Sequence, residues 1–177
     1  AAIKACDIPA GVFSRVQGGK RDVGTSLVQH PLIRAVGFTG SLKGGRALFD
    51  LCAGRPEPIP FFGELGSINP MFILPNALAN RTEEIAKGWV GSLAMGAGQF
   101  CTNPGIALVV DGTDADTFTA AAVDSMAATA AQTMLTDGIA AAYRDGIIRV
   151  SAASGVTSLV QGSAGAREAA ACLLSVS

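Results

Sequence analysis

The sequence predicts an α/β fold built around a parallel sheet. Short apolar runs that favour β-strands alternate with longer stretches whose apolar residues recur at helical spacing. Glycine and proline stand at most of the boundaries between these stretches. A regular alternation of strands and helices indicates βαβ units, in which successive strands run parallel.

The first part of the chain divides at recognisable boundary residues. Pro31 ends a helix, because the residue before a proline disfavours helical geometry. Ser41 begins the next helix, in which Ala47, Leu48 and Leu51 fall at helical spacing. In order, we predict a strand over residues 11–16, a helix over 22–29, a strand over 33–39, a helix over 41–52 and a strand over 59–64.

Further elements follow in the remaining two thirds of the chain. Asn80, with Glu83 three residues later, predicts a helix start of the capping-box type, and Trp89 marks the buried face of that helix. Gly96 and Gly98 end it. In order, we predict a strand over residues 70–74, a helix from residue 80, a strand over 106–110, a helix over 115–134, a helix over 143–150, a strand over 156–160 and a helix over 166–174.

Composition and charge argue against several classes of function. The formal net charge of −1 gives no electrostatic reason to expect a nucleic acid or an anionic membrane as partner. Asp124 and scattered small residues interrupt the apolar stretches, so no transmembrane run is expected. The 4 cysteines lie far apart and the 1 histidine is not near them, which argues against a metal site or a disulfide framework. We therefore expect no metal and a reduced, cytoplasmic setting.

A first candidate site is the segment GFTGS at residues 37–41, where a predicted strand turns into a helix. The N-terminus of such a helix offers unpaired N–H groups and the positive end of the helix dipole, which suit a phosphate. A plain tight turn with Ser41 as N-cap explains the segment equally well. An ATP-binding P-loop is disfavoured, because Arg46 and Ala47 stand where lysine and serine or threonine are required.

Cys101 and Glu64 are the other candidates for chemistry. Cys101 lies in a glycine-rich break between a helix and a strand, where backbone N–H groups can stabilise a thiolate and later an oxyanion. We expect the other cysteines, Cys6, Cys52 and Cys172, to be small buried hydrophobic residues. Glu64 ends an apolar strand, where a carboxylate either serves as a general base or forms a structural salt bridge.

Three motifs occur in one order along the chain: GFTGS at residues 37–41, GELGSINP at 63–70 and GQFCTNPG at 98–105. Together they resemble the aldehyde dehydrogenase superfamily. Within it, the forms ELGSINP and GQFCTNPG are most similar to those of α-ketoglutaric semialdehyde (2,5-dioxovalerate) dehydrogenases. The resemblance implies a Rossmann-type parallel sheet leading into an α/β catalytic domain. Residues 1–65 would be the end of the NAD(P)-binding domain, and residues 66–177 the start of the catalytic domain.

The resemblance also implies a role for each candidate residue. Cys101 would attack the aldehyde to form a thiohemiacetal and then a thioester, with its backbone N–H as half of the oxyanion hole. Glu64 would activate the water that hydrolyses the thioester. Gly40 and Ser41 would contact the cofactor pyrophosphate, and Leu65 would lie near the nicotinamide. The implied partners are NAD or NADP, a small aldehyde and, in the full-length protein, further copies of the chain.

Two alternatives from other classes remain open. The oxyanion-hole asparagine and the ribose-binding residues of the family do not occur in these 177 residues, so the chain resembles only the central part of such an enzyme. It could be a catalytically silent α/β segment, or the enzyme could serve another aldehyde. A cysteine-dependent acyl transferase or hydrolase without nicotinamide is a weaker alternative, because no histidine lies near Cys101 in the sequence.

Overall fold

The computed structural model describes residues 2–6, 8–18 and 21–176. The chain forms two compact units, of which the first ends at Gly66 and the second begins at Ser67. The first unit contains, in chain order, α1 (Ala2–Ala5), α2 (Asp22–Gln29), β1 (Val36–Thr39), α3 (Leu42–Ala53) and β2 (Phe61–Glu64).

The centre of the first unit is a βαβ motif. Strands β1 and β2 pair in parallel, with Val36 opposite Phe61 and Thr39 opposite Glu64, and α3 is the helix that connects them. Parallel neighbours need such a crossover because the chain must return to the same end of the sheet. Gly45 of α3 is buried.

The predicted elements of the first unit are largely confirmed. The helix over residues 22–29 and the N-cap at Ser41 are found as predicted. The strands predicted over residues 33–39 and 59–64 occur in shorter form, as β1 and β2. The strand predicted over residues 11–16 is wrong. Those residues are irregular and exposed, and among the described residues no strand pairs with them, so their alternating pattern has no sheet to join.

The second unit combines one parallel and two antiparallel strand pairs with helices. Its elements are β3 (Met71–Ile73), α4 (Pro75–Ala94), a short 3₁₀ helix (Met95–Gly98), β4 (Ala107–Val109), α5 (Thr113–Ala127), β5 (Gln132–Thr133), α6 (Asp137–Ser151), β6 (Val156–Gln161), β7 (Glu168–Ala169) and β8 (Cys172–Val176). Strands β3 and β4 pair in parallel, whereas β5 pairs with β7 and β6 with β8 in antiparallel fashion.

The main core of the second unit contains side chains of α4 and α5. Leu78 and Val90 of α4 and Met126 of α5 are almost completely buried. The Trp89 and Phe118 rings pack with their centroids 5.7 Å apart, which confirms Trp89 as a core residue. This core holds α4, and therefore the loop that follows it, in a fixed position.

Three predicted boundaries in the second unit are wrong. Helix α4 begins at Pro75 rather than Asn80, since proline suits the first helical position. Arg81 has non-helical backbone (φ −141°, ψ 29°), so α4 is kinked directly after the predicted start. The Asn80 amide donates to the Asn76 carbonyl instead of capping. Helix α5 ends at Ala127 instead of continuing to residue 134. Residues 166–174 form strands rather than a helix, because β8 pairs along the whole of β6.

The mixed α/β fold with parallel strand pairs confirms the predicted fold class. Among the helices of the described residues, none combines the length and apolar character needed to span a bilayer. The described residues also contain no group of three or more histidine, cysteine or acidic residues arranged to hold a metal ion.

Candidate active site

Several predicted site residues meet at the carboxyl ends of β1 and β2. Gly40 directly follows β1, and its N–H donates to the Glu64 carbonyl oxygen at 3.1 Å. This bond joins the end of β2 to the turn that enters α3. In α/β sheets, ligands bind outside the carboxyl ends of parallel strands. Gly40, Ser41 and Glu64 therefore lie in one place within the first unit.

The N-terminus of α3 has groups that suit a phosphate. The Ser41 hydroxyl accepts a hydrogen bond from the Gly44 N–H at 3.2 Å. Among the described residues, no acceptor is bonded to the N–H groups of Leu42 and Lys43. No acidic residue occupies the first turn, and the Lys43 side chain is exposed. Free N–H groups, a helix dipole and a lysine together form an anion-binding arrangement, so these residues fit a cofactor pyrophosphate.

Glu64 and Leu65 differ in their surroundings. The Glu64 side chain is exposed, and within the described part of the chain it forms neither a hydrogen bond nor an ion pair. Leu65 is half-buried against α3, where its side chain occupies the space that a Cβ on Gly45 would need. Leu65 is therefore anchored, whereas the Glu64 carboxylate is free to contact a water or substrate. Among the residues that the structure describes, none forms the structural salt bridge considered for Glu64.

Cys101 belongs to the second unit and lies in a loop between α4 and β4. The loop starts with left-handed backbone at Gly96, Ala97 and Gly98, whose φ angles are 58°, 57° and 71°. The thiol of Cys101 is not buried, since the residue is exposed. In the described residues, no acceptor is bonded to the Cys101 N–H. An exposed thiol beside a free N–H is the arrangement that a nucleophile with part of an oxyanion hole requires.

Side chains from the motif GELGSINP hold the backbone of this loop. The Cys101 carbonyl oxygen accepts hydrogen bonds from the Ser67 hydroxyl at 2.7 Å and from the Asn69 amide at 2.9 Å. The same Asn69 amide donates to the Asn103 carbonyl oxygen at 2.9 Å. Asn69 therefore bonds to the backbone on both sides of Thr102, which fixes the direction of the chain at Cys101.

The loop is also bonded to the end of α4. The Asn103 amide donates to the Leu93 carbonyl oxygen at 2.7 Å, where it satisfies one of the carbonyl groups left free at the helix end. The indole N–H of Trp89 donates to the Pro104 carbonyl oxygen at 2.7 Å. Because Trp89 is a core residue, these bonds connect the Cys101 loop to the main core of the second unit.

Sequence reasoning found Cys101 but missed Ser67, Asn69 and Asn103 as residues that position it. The signal was present in the motifs, since Ser67 and Asn69 of GELGSINP donate to backbone carbonyl groups of GQFCTNPG. The pairing could not be derived from the sequence, because about thirty residues separate the two stretches and side-chain hydrogen bonds over that distance leave no periodic pattern.

Replacement of Asn69 tests whether its hydrogen bonds hold the Cys101 loop. In Asn69→Ala the carbonyl groups of Cys101 and Asn103 lose their shared donor, so we expect the free energy of unfolding to fall by about 1–3 kcal/mol. Urea denaturation followed by tryptophan fluorescence measures the change, because Trp89 lies in the same unit. The matched control is Asn80→Ala, whose amide contacts only its own helix. An equal loss of unfolding free energy in both variants would contradict a specific role of Asn69 in holding the loop.

The remaining cysteines differ from one another. Cys52 is buried as predicted, but Cys6 is exposed and Cys172 is half-buried in β8, so the prediction of a small buried residue is wrong for Cys6 and only partly met for Cys172.

The Tyr143 hydroxyl donates to the Ala170 carbonyl oxygen at 2.8 Å and lies 3.8 Å from the Cys172 sulfur. Burial, and secondarily the Cys172 thiol, raises the pKa of Tyr143 far above its ordinary value. Tyr143 is therefore a neutral structural donor.

Comparison with known proteins places this geometry in a family. The sequence matches the aldehyde dehydrogenase family over residues 1–164. It is 48% identical over 164 residues to α-ketoglutaric semialdehyde dehydrogenase 2 of Azospirillum brasilense, covering 93% of this chain and 31% of that protein. It is 46% identical over 146 residues to the α-ketoglutaric semialdehyde dehydrogenase of Acinetobacter baylyi, covering 82% of this chain and 27% of that protein.

The fold agrees with the sequence comparison. The crystal structure of a NAD-dependent benzaldehyde dehydrogenase from Corynebacterium glutamicum superposes with a TM-score of 0.79 at 22% identity, over 97% of this chain and 38% of that one. The chain spans less than a third of the length of the curated relatives named above. The sequence comparison thus confirms the family predicted from the three motifs, and the chain belongs to the aldehyde dehydrogenase family.

Proposed function

We propose that the native protein containing this chain oxidises an aldehyde to a carboxylic acid with NAD or NADP as the oxidant, and that Cys101 is the nucleophile. One observation supports this most strongly. The Cys101 thiol is exposed beside its own free N–H, in a loop whose backbone is fixed by Ser67, Asn69 and Asn103. A fixed nucleophile next to an oxyanion donor is what acyl chemistry on an aldehyde carbon needs.

In the proposed reaction, the Cys101 thiolate adds to the aldehyde carbon, and the carbonyl oxygen becomes an oxyanion that the Cys101 N–H stabilises. The product of this addition is a thiohemiacetal. A nicotinamide cofactor held by Gly40 and Ser41 would supply the acceptor for the hydride of the thiohemiacetal carbon. The C=O bond re-forms as a thioester on Cys101, so the two-electron oxidation is complete before water enters.

Glu64 is the proposed general base for the second half of the reaction. Its carboxylate takes a proton from water while the water oxygen adds to the thioester carbon. The C–S bond then breaks, the acid leaves, and Cys101 returns as the thiolate. The exposed carboxylate, which has no partner among the described residues, is consistent with this role. In the sequence only Leu65 and Gly66 separate Glu64 from Ser67, which bonds to the Cys101 backbone.

Gly40 and Ser41 are the residues that we propose to hold the cofactor. The free N–H groups at the start of α3 would bond to the pyrophosphate, and the Gly40 backbone would approach it closely. Leu65, anchored on α3, would pack against the nicotinamide. This assignment makes residues 1–65 part of the cofactor-binding domain and residues 66–177 part of the catalytic domain. Association of the full-length protein into a homo-oligomer stays a prediction.

The proposed substrate is α-ketoglutaric semialdehyde. This choice is supported by the two curated relatives that share 48% and 46% identity with the chain and carry that substrate in their names. A small aldehyde that carries a carboxylate at its far end would be selected by residues outside the motifs discussed above. An enzyme of the same family that prefers another aldehyde is the main competing assignment.

An assay of the native, full-length protein tests the proposed function. We expect the absorbance of reduced nicotinamide, at about 340 nm, to rise when the protein is mixed with α-ketoglutaric semialdehyde and NAD or NADP. Hydride transfer to the nicotinamide is the defining step of the proposed reaction. Succinic semialdehyde, benzaldehyde and an aldehyde-free blank are the comparisons. Faster oxidation of one of the other aldehydes would contradict α-ketoglutaric semialdehyde as the substrate and assign that aldehyde instead. Absence of oxidation with every aldehyde and both cofactors would refute the proposed function.

A catalytically silent segment is the second candidate. The chain covers only 31% and 27% of the two curated relatives, so much of what those proteins contain has no counterpart within these residues. The intact mass of the native gene product distinguishes the candidates. A native product with the mass of these 177 residues that does not bind NAD(P) supports the silent segment, whereas a much heavier product supports the enzyme.

A further inference from the structure

We propose that Gln132 is a positioning residue that sets the conformation of the Cys101 loop from its N-terminal side. Gln132 lies in β5, far from Cys101 in the sequence, and none of the family motifs contains it. Its side chain contacts the turn that leads into the loop. Since Cys101 matters only if it is the nucleophile, this role in catalysis rests on the proposed function.

The Gln132 amide makes hydrogen bonds on both sides of the turn that follows α4. Its Oε1 accepts from the Ala97 N–H at 3.1 Å, and its Nε2 donates to the Ala94 carbonyl oxygen at 2.9 Å. Both contacts are partly buried. One side chain therefore satisfies a carbonyl at the helix end and an N–H inside the following 3₁₀ turn, which are groups that the helix itself leaves unpaired.

The turn held in this way adopts an unfavourable conformation. Ala97 is left-handed with a φ of 57°, and it is the non-glycine residue with a positive φ among those described. Its neighbours Gly96 and Gly98 are also left-handed, which glycine tolerates and alanine does not. A strained residue of this kind persists only where its surroundings determine it. The hydrogen bond from the Ala97 N–H to Gln132 and the packing of Ala97 against the cluster of Met134, Ala140 and Ala169 hold Ala97 in this conformation.

The position of this turn decides how Cys101 is presented. Only Gln99 and Phe100 separate Gly98 from Cys101. Gln99 adds a second connection to the same region, because its Oε1 accepts from the Leu135 N–H at 2.9 Å and its Nε2 donates to the Gly96 carbonyl oxygen at 2.9 Å. The loop is thus fixed after Cys101 by Asn69 and before it by Gln132. Loss of the hydrogen bonds on either side would let the Cys101 thiol and N–H move relative to a bound aldehyde.

Substitution of Gln132 in the native, full-length protein tests the inference. Gln132→Met keeps the length of the side chain and removes both hydrogen bonds. We expect amide hydrogen exchange over residues 95–101 to speed up roughly tenfold, and kcat to fall about 10- to 100-fold, because small misplacement of a reacting group is costly. A positioning role predicts that the KM for the aldehyde stays within about twofold while kcat falls. The rate of alkylation of Cys101 by iodoacetamide, measured by peptide mass spectrometry, should change about threefold or more, because the thiol and its N–H would no longer be held in one arrangement.

Gln161→Met is the matched control. Gln161 is an exposed glutamine at the end of β6, and its side chain forms no hydrogen bond among the described residues. We expect exchange, alkylation and kcat to be unchanged in it. If Gln132→Met does not fold, Gln132→Glu replaces it, because glutamate keeps the acceptor for Ala97 and loses the donor for Ala94, and an intermediate effect is expected.

Each result decides the inference. Unchanged exchange over residues 95–101 in the Gln132 variant would show that the side chain does not hold the turn. Faster exchange with unchanged alkylation and unchanged kcat would show that the turn is held but does not position Cys101. If the unmodified protein oxidises no aldehyde, the proposed function fails, while exchange and alkylation still report whether Gln132 positions the thiol.

Discussion

Cys101→Ala is expected to eliminate aldehyde-dependent formation of NAD(P)H in the native, full-length protein. Without the thiol no thiohemiacetal forms, and the aldehyde carbon has no covalent intermediate from which hydride can leave. We expect kcat to fall by about four orders of magnitude or more, the scale seen when a catalytic nucleophile is removed. Cofactor binding should persist, because Gly40 and Ser41 belong to the other unit. Spectrophotometry measures the rate, and quenching of protein fluorescence measures cofactor binding.

Cys6→Ala is the control for this experiment. Cys6 is also an exposed free cysteine, so the two thiols are equally open to reagents. We expect its rate to equal that of the unmodified protein. If the Cys101 variant retained more than a trace of turnover, the covalent route would be excluded, and a mechanism without a thiohemiacetal would have to explain the oxidation.

The sequence predicted best those elements whose ends are determined locally. The helix Asp22–Gln29 ends before Pro31, and the helix Leu42–Ala53 begins after a serine N-cap. Elements that depend on distant partners were predicted less well. For residues 166–174 the sequence predicts a helix, and the structure has strands there. The strand Cys172–Val176 forms because it completes the antiparallel pair with Val156–Gln161, and Leu173 then joins the core.

The same distinction applies to the candidate site. Cys101, Glu64 and Ser41 could be selected from the sequence because glycine-rich turns, strand ends and caps have local signatures. The side chains that hold the Cys101 loop could not. Asn69 and Gln132 bond to backbone atoms more than thirty residues away, and any polar residue at those positions would look solvent-exposed in a one-dimensional pattern. Sequence therefore identifies the reacting groups sooner than the residues that position them.

Glu64→Gln is expected to separate the two halves of the reaction. The amide has the shape of the carboxylate but cannot accept a proton from water, so addition of Cys101 and loss of hydride should proceed while hydrolysis stalls. We expect a rapid burst of about one equivalent of NAD(P)H per active site, followed by steady turnover lowered about 10²- to 10⁴-fold. Stopped-flow absorbance resolves the burst, and intact-protein mass spectrometry detects the acyl group that accumulates on Cys101.

Glu57→Gln provides the matched control, because Glu57 is another exposed glutamate of the first unit and pairs with Arg34 at 3.3 Å on the surface. An exposed pair of this kind contributes about 0–1 kcal/mol to stability, so its loss should leave both phases unchanged. A Glu64 variant with no burst would mean that Glu64 acts before hydride transfer, for instance in removing the thiol proton. A burst equal to that of the unmodified protein and followed by normal turnover would assign the activation of water to a different residue.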